Sequence, residues 1–180
     1  MSKVFIIGGG ASGMISAIFA SRNGHDVTIV EKNEKLGKKI YITGKGRCNL
    51  TNNCSVTDFF ENIVTNKKFL YSAINNFSPE NTIDFFESLG LKTKTERGNR
   101  VFPLSDKASD VTKYLQKELE KNKVKIKLNE TVLSLKTSKD TVIGLKTDRG
   151  DYSCDSIIVC TGGVSYPLTG TQDILYLHWV

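Results

Sequence analysis

Two short apolar runs frame the start of the chain, Val4-Phe5-Ile6-Ile7 and Val27-Thr28-Ile29-Val30. The segment Met14-Ile15-Ser16-Ala17-Ile18-Phe19-Ala20 between them suits a helix, so residues 3–31 read as a β-α-β unit. Residues 32–56 are polar and glycine-rich with no clear period, which in a stretch of this length points to function or disorder; the paired glycines and Arg47 favour function. Helical spacing returns in Phe59, Phe60 and Ile63, and again in Phe69, Leu70, Ala73, Ile74 and Phe77, whose aromatic faces read as core. Ser78-Pro79-Glu80 opens a further helix with a capping serine and a first-turn proline, and Gly90 ends it.

Leu91 to Phe102 reads as a hairpin turning at Glu96-Arg97-Gly98-Asn99. Ser105-Asp106 is expected to cap a helix with Val111, Tyr114, Leu115 and Leu119 on its apolar face. Strand patterns follow at residues 124–128, 131–135, 142–147 and 152–154, with a turn at Asp148-Arg149-Gly150. Asp155 to Cys160 is a continuous apolar run of the kind found in buried parallel strands, and it ends at Thr161-Gly162-Gly163.

The most specific chemistry lies in Gly8-Gly9-Gly10-Ala11-Ser12-Gly13, directly after the first strand, with Glu31 closing the second. Strand, GxGxxG, helix, strand and acid in this order form a dinucleotide fingerprint. Gly8 permits the tight turn, Gly10 lets backbone approach a pyrophosphate, and Gly13 lets the helix pack on the strand. The helix start offers unpaired amides and a partial positive charge to phosphate. Glu31 would accept hydrogen bonds from a ribose, and an acid there disfavours a 2′-phosphate, so FAD or NAD suits the site better than NADP.

The chain has 180 residues, 39% hydrophobic and 24% charged, which describes a folded globular protein and not a disordered one. The expectation is a cytoplasmic protein with no membrane partner, because no run approaches the roughly 20 apolar residues of a membrane helix. The formal charge of +6 is spread over dispersed lysines with no visible aromatic platform, so the expectation is a solvated basic surface and no nucleic-acid partner. Cys48, Cys54, Cys154 and Cys160 lack zinc spacing, and the last two read as small buried hydrophobes. Cys48 and Cys54 have five residues between them, one more than in the redox dithiol of disulfide reductases, so Cys48 reads as a lone thiol. His25 sits in a turn and His178 in the tail, no Ser/His/Asp or metal constellation is present, and no catalytic residue stands out.

The pieces GGGASG, VEKNEKLGKK, ITGKGRCNLTN, NRVFPLSDKASDV and CTGGVSYPLTG resemble the BaiN/RdsA-like family of bacterial NAD(P)/FAD-dependent oxidoreductases from residue 3 to about residue 170. The resemblance implies an α/β fold: an incomplete Rossmann-like FAD-binding domain of glutathione-reductase type, a parallel sheet flanked by helices plus a β-meander. It implies FAD held by Gly8, Gly10, Ala11, Ser12 and Gly13 at the pyrophosphate and by Glu31, with Lys32 beside it, at the ribose. Lys39, Arg47, Cys48 and Asn49 would approach the isoalloxazine, where Lys39 and Arg47 could balance charge on reduced flavin. Val132 would offer backbone to adenine, and Thr161, Gly162 and Gly163 would pass close to the cofactor.

Members of that family run to roughly twice this length. Residues 1–170 therefore read as the N-terminal portion of the FAD domain, residues 171–180 as an aberrant or truncated tail, and the inserted substrate domain as absent. The implied activity is hydride transfer from NAD(P)H through flavin to a small organic acceptor. A non-catalytic FAD-binding module is the alternative, with an NAD-dependent dehydrogenase a distant third. Oligomeric state is not legible.

Overall fold

The computed structural model describes residues 1–163. The 171–180 tail, His178 and the second half of the last motif lie outside these described residues. The chain divides into two compact units, Met1–Lys39 with the chain from Leu115 onward, and Ile40–Tyr114.

The first unit is built on a parallel sheet of four strands in the order β10-β1-β2-β6. β1 (Lys3–Ile7) and β2 (Asp26–Val30) are joined by α1 (Ala11–Arg22), as the apolar pattern predicts. Ile6, Ile29, Met14 and Ile18 are fully buried where α1 covers these strands. β6 (Lys125–Lys127) pairs with β2, and β10 (Ser156–Val159) pairs with β1 in parallel, Val4 opposite Ser156. A meander of β7 (Val132–Ser138), β8 (Thr141–Thr147) and β9 (Gly150–Ser153) forms a separate antiparallel sheet. Its Val132 and Leu145 join Phe5, Ile7, Val30 and Cys154 in one hydrophobic cluster, and Tyr152 stacks on Phe5 with ring centroids 5.5 Å apart.

Two readings of this unit need revision. β10 is parallel as expected but not buried: among the described residues it pairs only with β1, and Val159 is 55% exposed. Cys154 is a buried thiol, whereas Cys160 is half-buried.

The second unit carries β3 (Thr51–Asn52), β4 (Thr93–Glu96) and β5 (Arg100–Pro103) in the order β3-β5-β4. α4 (Pro79–Ser88) starts with the expected cap: Ser78 accepts the Asn81 amide at 3.1 Å, and the Asn81 side chain returns the bond. Phe85 and Phe86 of α4 are buried. α2 (Val56–Glu61) and α3 (Lys67–Asn76) break the pattern, because neither buries a single residue and Phe69 is 85% exposed. Helical periodicity places aromatics on one side of each helix, but the cover is partial: Phe60 stacks on Tyr71 and Phe77 meets Phe85 edge-on, while Phe69 stays open.

α5 (Ala108–Lys121) begins in the second unit and ends in the first, burying Val111, Leu115 and Leu119 as its pattern requires. Its start differs from expectation. Asp106 does not cap it; its carboxylate is taken up by Lys94 and Arg47.

Candidate functional site

The end of β1 runs into the glycine turn, and each of its glycines meets a different constraint. Gly8 has φ +102°, and a Cβ there would lie 2.5 Å from the Cys160 carbonyl oxygen. A Cβ on Gly13 would collide with the Gly8 carbonyl, so this glycine sets how closely α1 approaches the strand. At Gly9 the obstacle is the end of the Leu36 side chain, which can move, with the Glu31 side chain behind it. Gly10 is the exception: a Cβ there would meet nothing within 4 Å. Backbone contact fixes the turn at Gly8 and Gly13 and leaves open space at Gly10.

α1 begins beside that space with no side-chain cap and no acidic residue in its first turn. Its first backbone bond is from Met14 N–H to the Gly10 carbonyl at 3.0 Å, so the amides of Ala11, Ser12 and Gly13 precede the intrahelical ladder. Such amides carry the positive end of the helix dipole and suit a diphosphate.

Glu31, only 8% exposed, ends β2 opposite this turn. Its Oε2 accepts the Gly9 amide at 2.6 Å, and its Oε1 accepts the Asn33 amide at 2.8 Å and the Asn33 Nδ2 at 2.6 Å. The carboxylate therefore ties the glycine turn to the end of β2, and one of its acceptor sites, on Oε2, is left for a further donor such as a sugar hydroxyl. Burial lowers the Lys32 pKa, with the Glu31 charge working against that shift.

Beyond the acid the chain is held by main-chain bonds. Glu130 N–H donates to the Glu31 carbonyl at 3.1 Å and Asn129 N–H to the Asn33 carbonyl at 3.0 Å, so Val132 follows a segment running beside the acid. At the other end Gly162, with φ +81°, lies near Lys39: a Cβ there would be 3.8 Å from Lys39 Nζ. The structure thus places Gly8, Gly10, Ala11, Ser12, Gly13, Glu31, Lys32, Lys39, Val132, Thr161, Gly162 and Gly163 in the first unit.

Arg47, Cys48 and Asn49 belong to the second unit, in the loop after a short 3-10 stretch (Ile40–Gly46). Arg47 contacts Glu96 at 2.5 Å and Asp106 at 2.6 Å, with its guanidinium carbon 4.2 Å from the Phe102 ring centroid. Lys94 joins the same two carboxylates. Bonding to Glu96 and then Asp106 raises the Arg47 pKa. Its charge is already matched, which leaves little of it for a reduced flavin. Asn49, turned so that its amide nitrogen faces them, donates to the Val101 and Thr51 carbonyls at 3.1 and 3.0 Å. Cys48 is buried, with φ 61° and its N–H on the Thr43 carbonyl at 3.1 Å. Burial pushes its thiol pKa up, and that of Cys54 too, and all four cysteines are free thiols. Neither Cys48 nor Cys54 has the thiolate character of a redox pair.

Sequence reading missed Asn33, Leu36 and the Lys94-Glu96-Asp106 cluster. Asn33 was legible as a polar residue two positions after the acid; the cluster joins residues too far apart in sequence to be seen. Among the described residues no group of histidine, cysteine and acidic side chains could hold a metal, and no helix is long and apolar enough to cross a membrane.

A parallel sheet with this glycine turn, acid and meander is a Rossmann-like nucleotide-binding fold. Residues 2–178 match the HI0933-like protein Rossmann domain, and the chain belongs to that family, as the motif resemblance predicted. It is 39% identical over 174 residues to the 3-dehydro-bile acid delta(4,6)-reductase of Clostridium scindens, covering 96% of this chain and 42% of the relative. It is 30% identical over 171 residues to the ribosomal RNA dihydrouridine synthase of Escherichia coli, covering 95% of this chain and 42% of the relative. The chain therefore spans about two fifths of the length of these relatives. The fold is shared with the 3-ketosteroid-delta4-(5alpha)-dehydrogenase of Rhodococcus jostii, with a TM-score of 0.69, 14% identity and coverage of 90% of this chain and 46% of that one.

The relative acting on ribosomal RNA overturns the exclusion of nucleic acid. The physical premise fails too, because Lys67 and Lys68 stand beside a 66% exposed Tyr71, which follows them within one turn of α3.

Proposed function

We propose that this chain is the FAD-binding part of an oxidoreductase that reduces a carbon–carbon double bond conjugated to a carbonyl, with NAD(P)H as the electron source. One observation carries the cofactor assignment: the buried Glu31 carboxylate bonded to the glycine turn, next to the open space at Gly10 and the uncapped start of α1. The amides of Ala11, Ser12 and Gly13 would hold the pyrophosphate and Glu31 the ribose. Val132 backbone would meet the adenine, and Lys32, Lys39 and Thr161-Gly162-Gly163 would line the remaining path. Arg47, Cys48 and Asn49 would serve through the backbone of their loop, since the Arg47 and Asn49 side chains are bonded to other segments and Cys48 is buried.

The reaction class follows from what the named relatives share. A Δ4,6 unsaturation in a 3-oxo bile acid is conjugated to a carbonyl, and dihydrouridine is uridine with its ring double bond, also conjugated to a carbonyl, saturated. When bound, the flavin supplies hydride chemistry at a carbon centre. The protein's share is to place the ring and exclude water.

Calorimetric titration of the purified chain with FAD, NAD and NADP tests the cofactor reading. FAD is expected to bind best, and no binding of any adenine dinucleotide would overturn it. NAD(P)H consumption with a conjugated enone tests the reaction separately.

A further inference from the structure

We infer that α2 and α3 form a stacking platform for unpaired bases of single-stranded RNA. Only the link from this platform to turnover rests on the proposed reaction, with a uracil ring as the conjugated acceptor; the binding itself is argued from the surface. The two helices flank an open groove of about 470 Å³ lined by Phe60, Lys67, Lys68, Tyr71 and Asn75, with Glu61 on the α2 side. Tyr71 stacks on Phe60 with centroids 5.7 Å apart and an interplanar angle of 28°, yet it stays 66% exposed. Its π-face is thus held in place and open to solvent. Phe69 on the same helix is 85% exposed and Val64 in the connection 94%, while neither helix buries any residue.

An exposed ring pinned over an open groove offers a stacking surface. The cations define the ligand. Lys67 and Lys68 enter no ion pair among the described residues, although Lys67 Nζ lies 3.4 Å from the Glu61 carbonyl. They sit on the turn that also presents Tyr71, on a chain of net charge +6. A fixed ring flanked by lysines matches a base and its neighbouring phosphates, because every base has a π-face and every linkage a negative charge. A-form duplex keeps its bases stacked on each other and cannot use the ring in this way.

The test is fluorescence anisotropy of the full chain with a short labelled oligouridylate, with unlabelled duplex RNA as competitor. The platform predicts binding that duplex competes for poorly and that Tyr71→Ala weakens about tenfold. K67Q/K68Q should flatten the dependence of log affinity on log salt by about 1.4. Circular dichroism and FAD titration of each variant show that the fold and the cofactor site are intact. Equal competition by duplex, unchanged affinity in Tyr71→Ala, or a change only in self-association would overturn the platform. FAD binding without RNA binding overturns this inference alone, and RNA binding without FAD binding overturns the proposed function alone.

Discussion

Two glycine-rich loops in this chain are held by opposite means. Gly8–Gly13 is fixed almost wholly by main chain: Gly8 and Gly13 leave no room for a Cβ, and the one side chain bonded to the turn is the Glu31 carboxylate. Gly44–Asn49 is held by side chains, with Arg47 stacked on Phe102 and paired to two carboxylates, Asn49 bridging two carbonyls and Cys48 buried. The first loop keeps the amides of Ala11, Ser12 and Gly13 and the space at Gly10 available, while the second has its side-chain polar groups bonded to neighbouring segments. Similar glycine content therefore does not mean similar capacity for a ligand. What counts is which polar groups remain once the loop is folded.

Substitutions can break or sharpen that contrast. The largest effect is expected at Gly13→Ala, whose methyl would press on the Gly8 carbonyl, a backbone atom that cannot step aside; urea denaturation should show a loss of about 3 kcal/mol. Glu31→Gln comes next. Its NH2 must face either Gly9 N–H or the Asn33 donors, leaving a buried mismatch worth about 2 kcal/mol in stability, and FAD affinity should fall with it. Gly10→Ala separates the two functions of the turn. With φ −76° and no neighbour within 4 Å it should shift stability by less than about 0.5 kcal/mol, yet a methyl in the pyrophosphate space should weaken FAD about tenfold by calorimetry.

The smallest effect belongs to the second loop. Lys94 and Arg47 lower the Asp106 pKa, and Arg47 and Lys94 lower that of Glu96. Carboxylates with depressed folded pKa values stabilise above their unfolded values and lose that contribution as pH falls through the folded ones. Asp106→Asn should therefore cost little at neutral pH, still less at high salt, because all four side chains are partly solvated. Its thermal stability should also decline less than that of the parent chain on acidification below the ordinary carboxylate range. A large neutral-pH loss would show that the network carries more of the second unit than its exposure allows.

The β-α-β unit, the hairpin and the meander were legible because each rests on local periodicity and turn chemistry, as in Val4–Ile7 or Glu96–Asn99. The site's acid and glycines were legible for the same reason, being close in sequence. What was not legible depended on distant partners. Asp106 reads as a helix cap until Arg47, 59 positions away, takes its oxygen. Phe69 reads as core because spacing reports which side a residue occupies, not whether anything lies against it. β10 reads as buried because its composition is apolar, while its place at the edge of the described sheet is a matter of strand order.

The pairing of β1 with β10 has a kinetic consequence. An inner strand of the parallel sheet, β1, acquires its second neighbour only when residues about 150 positions downstream arrive, as the Lys3 amide bonded to Asp155 illustrates. During synthesis, one edge of β1 must wait for nearly all of the described chain to leave the ribosome. Such long-range closure slows folding and lengthens the interval in which nascent apolar strands need shielding.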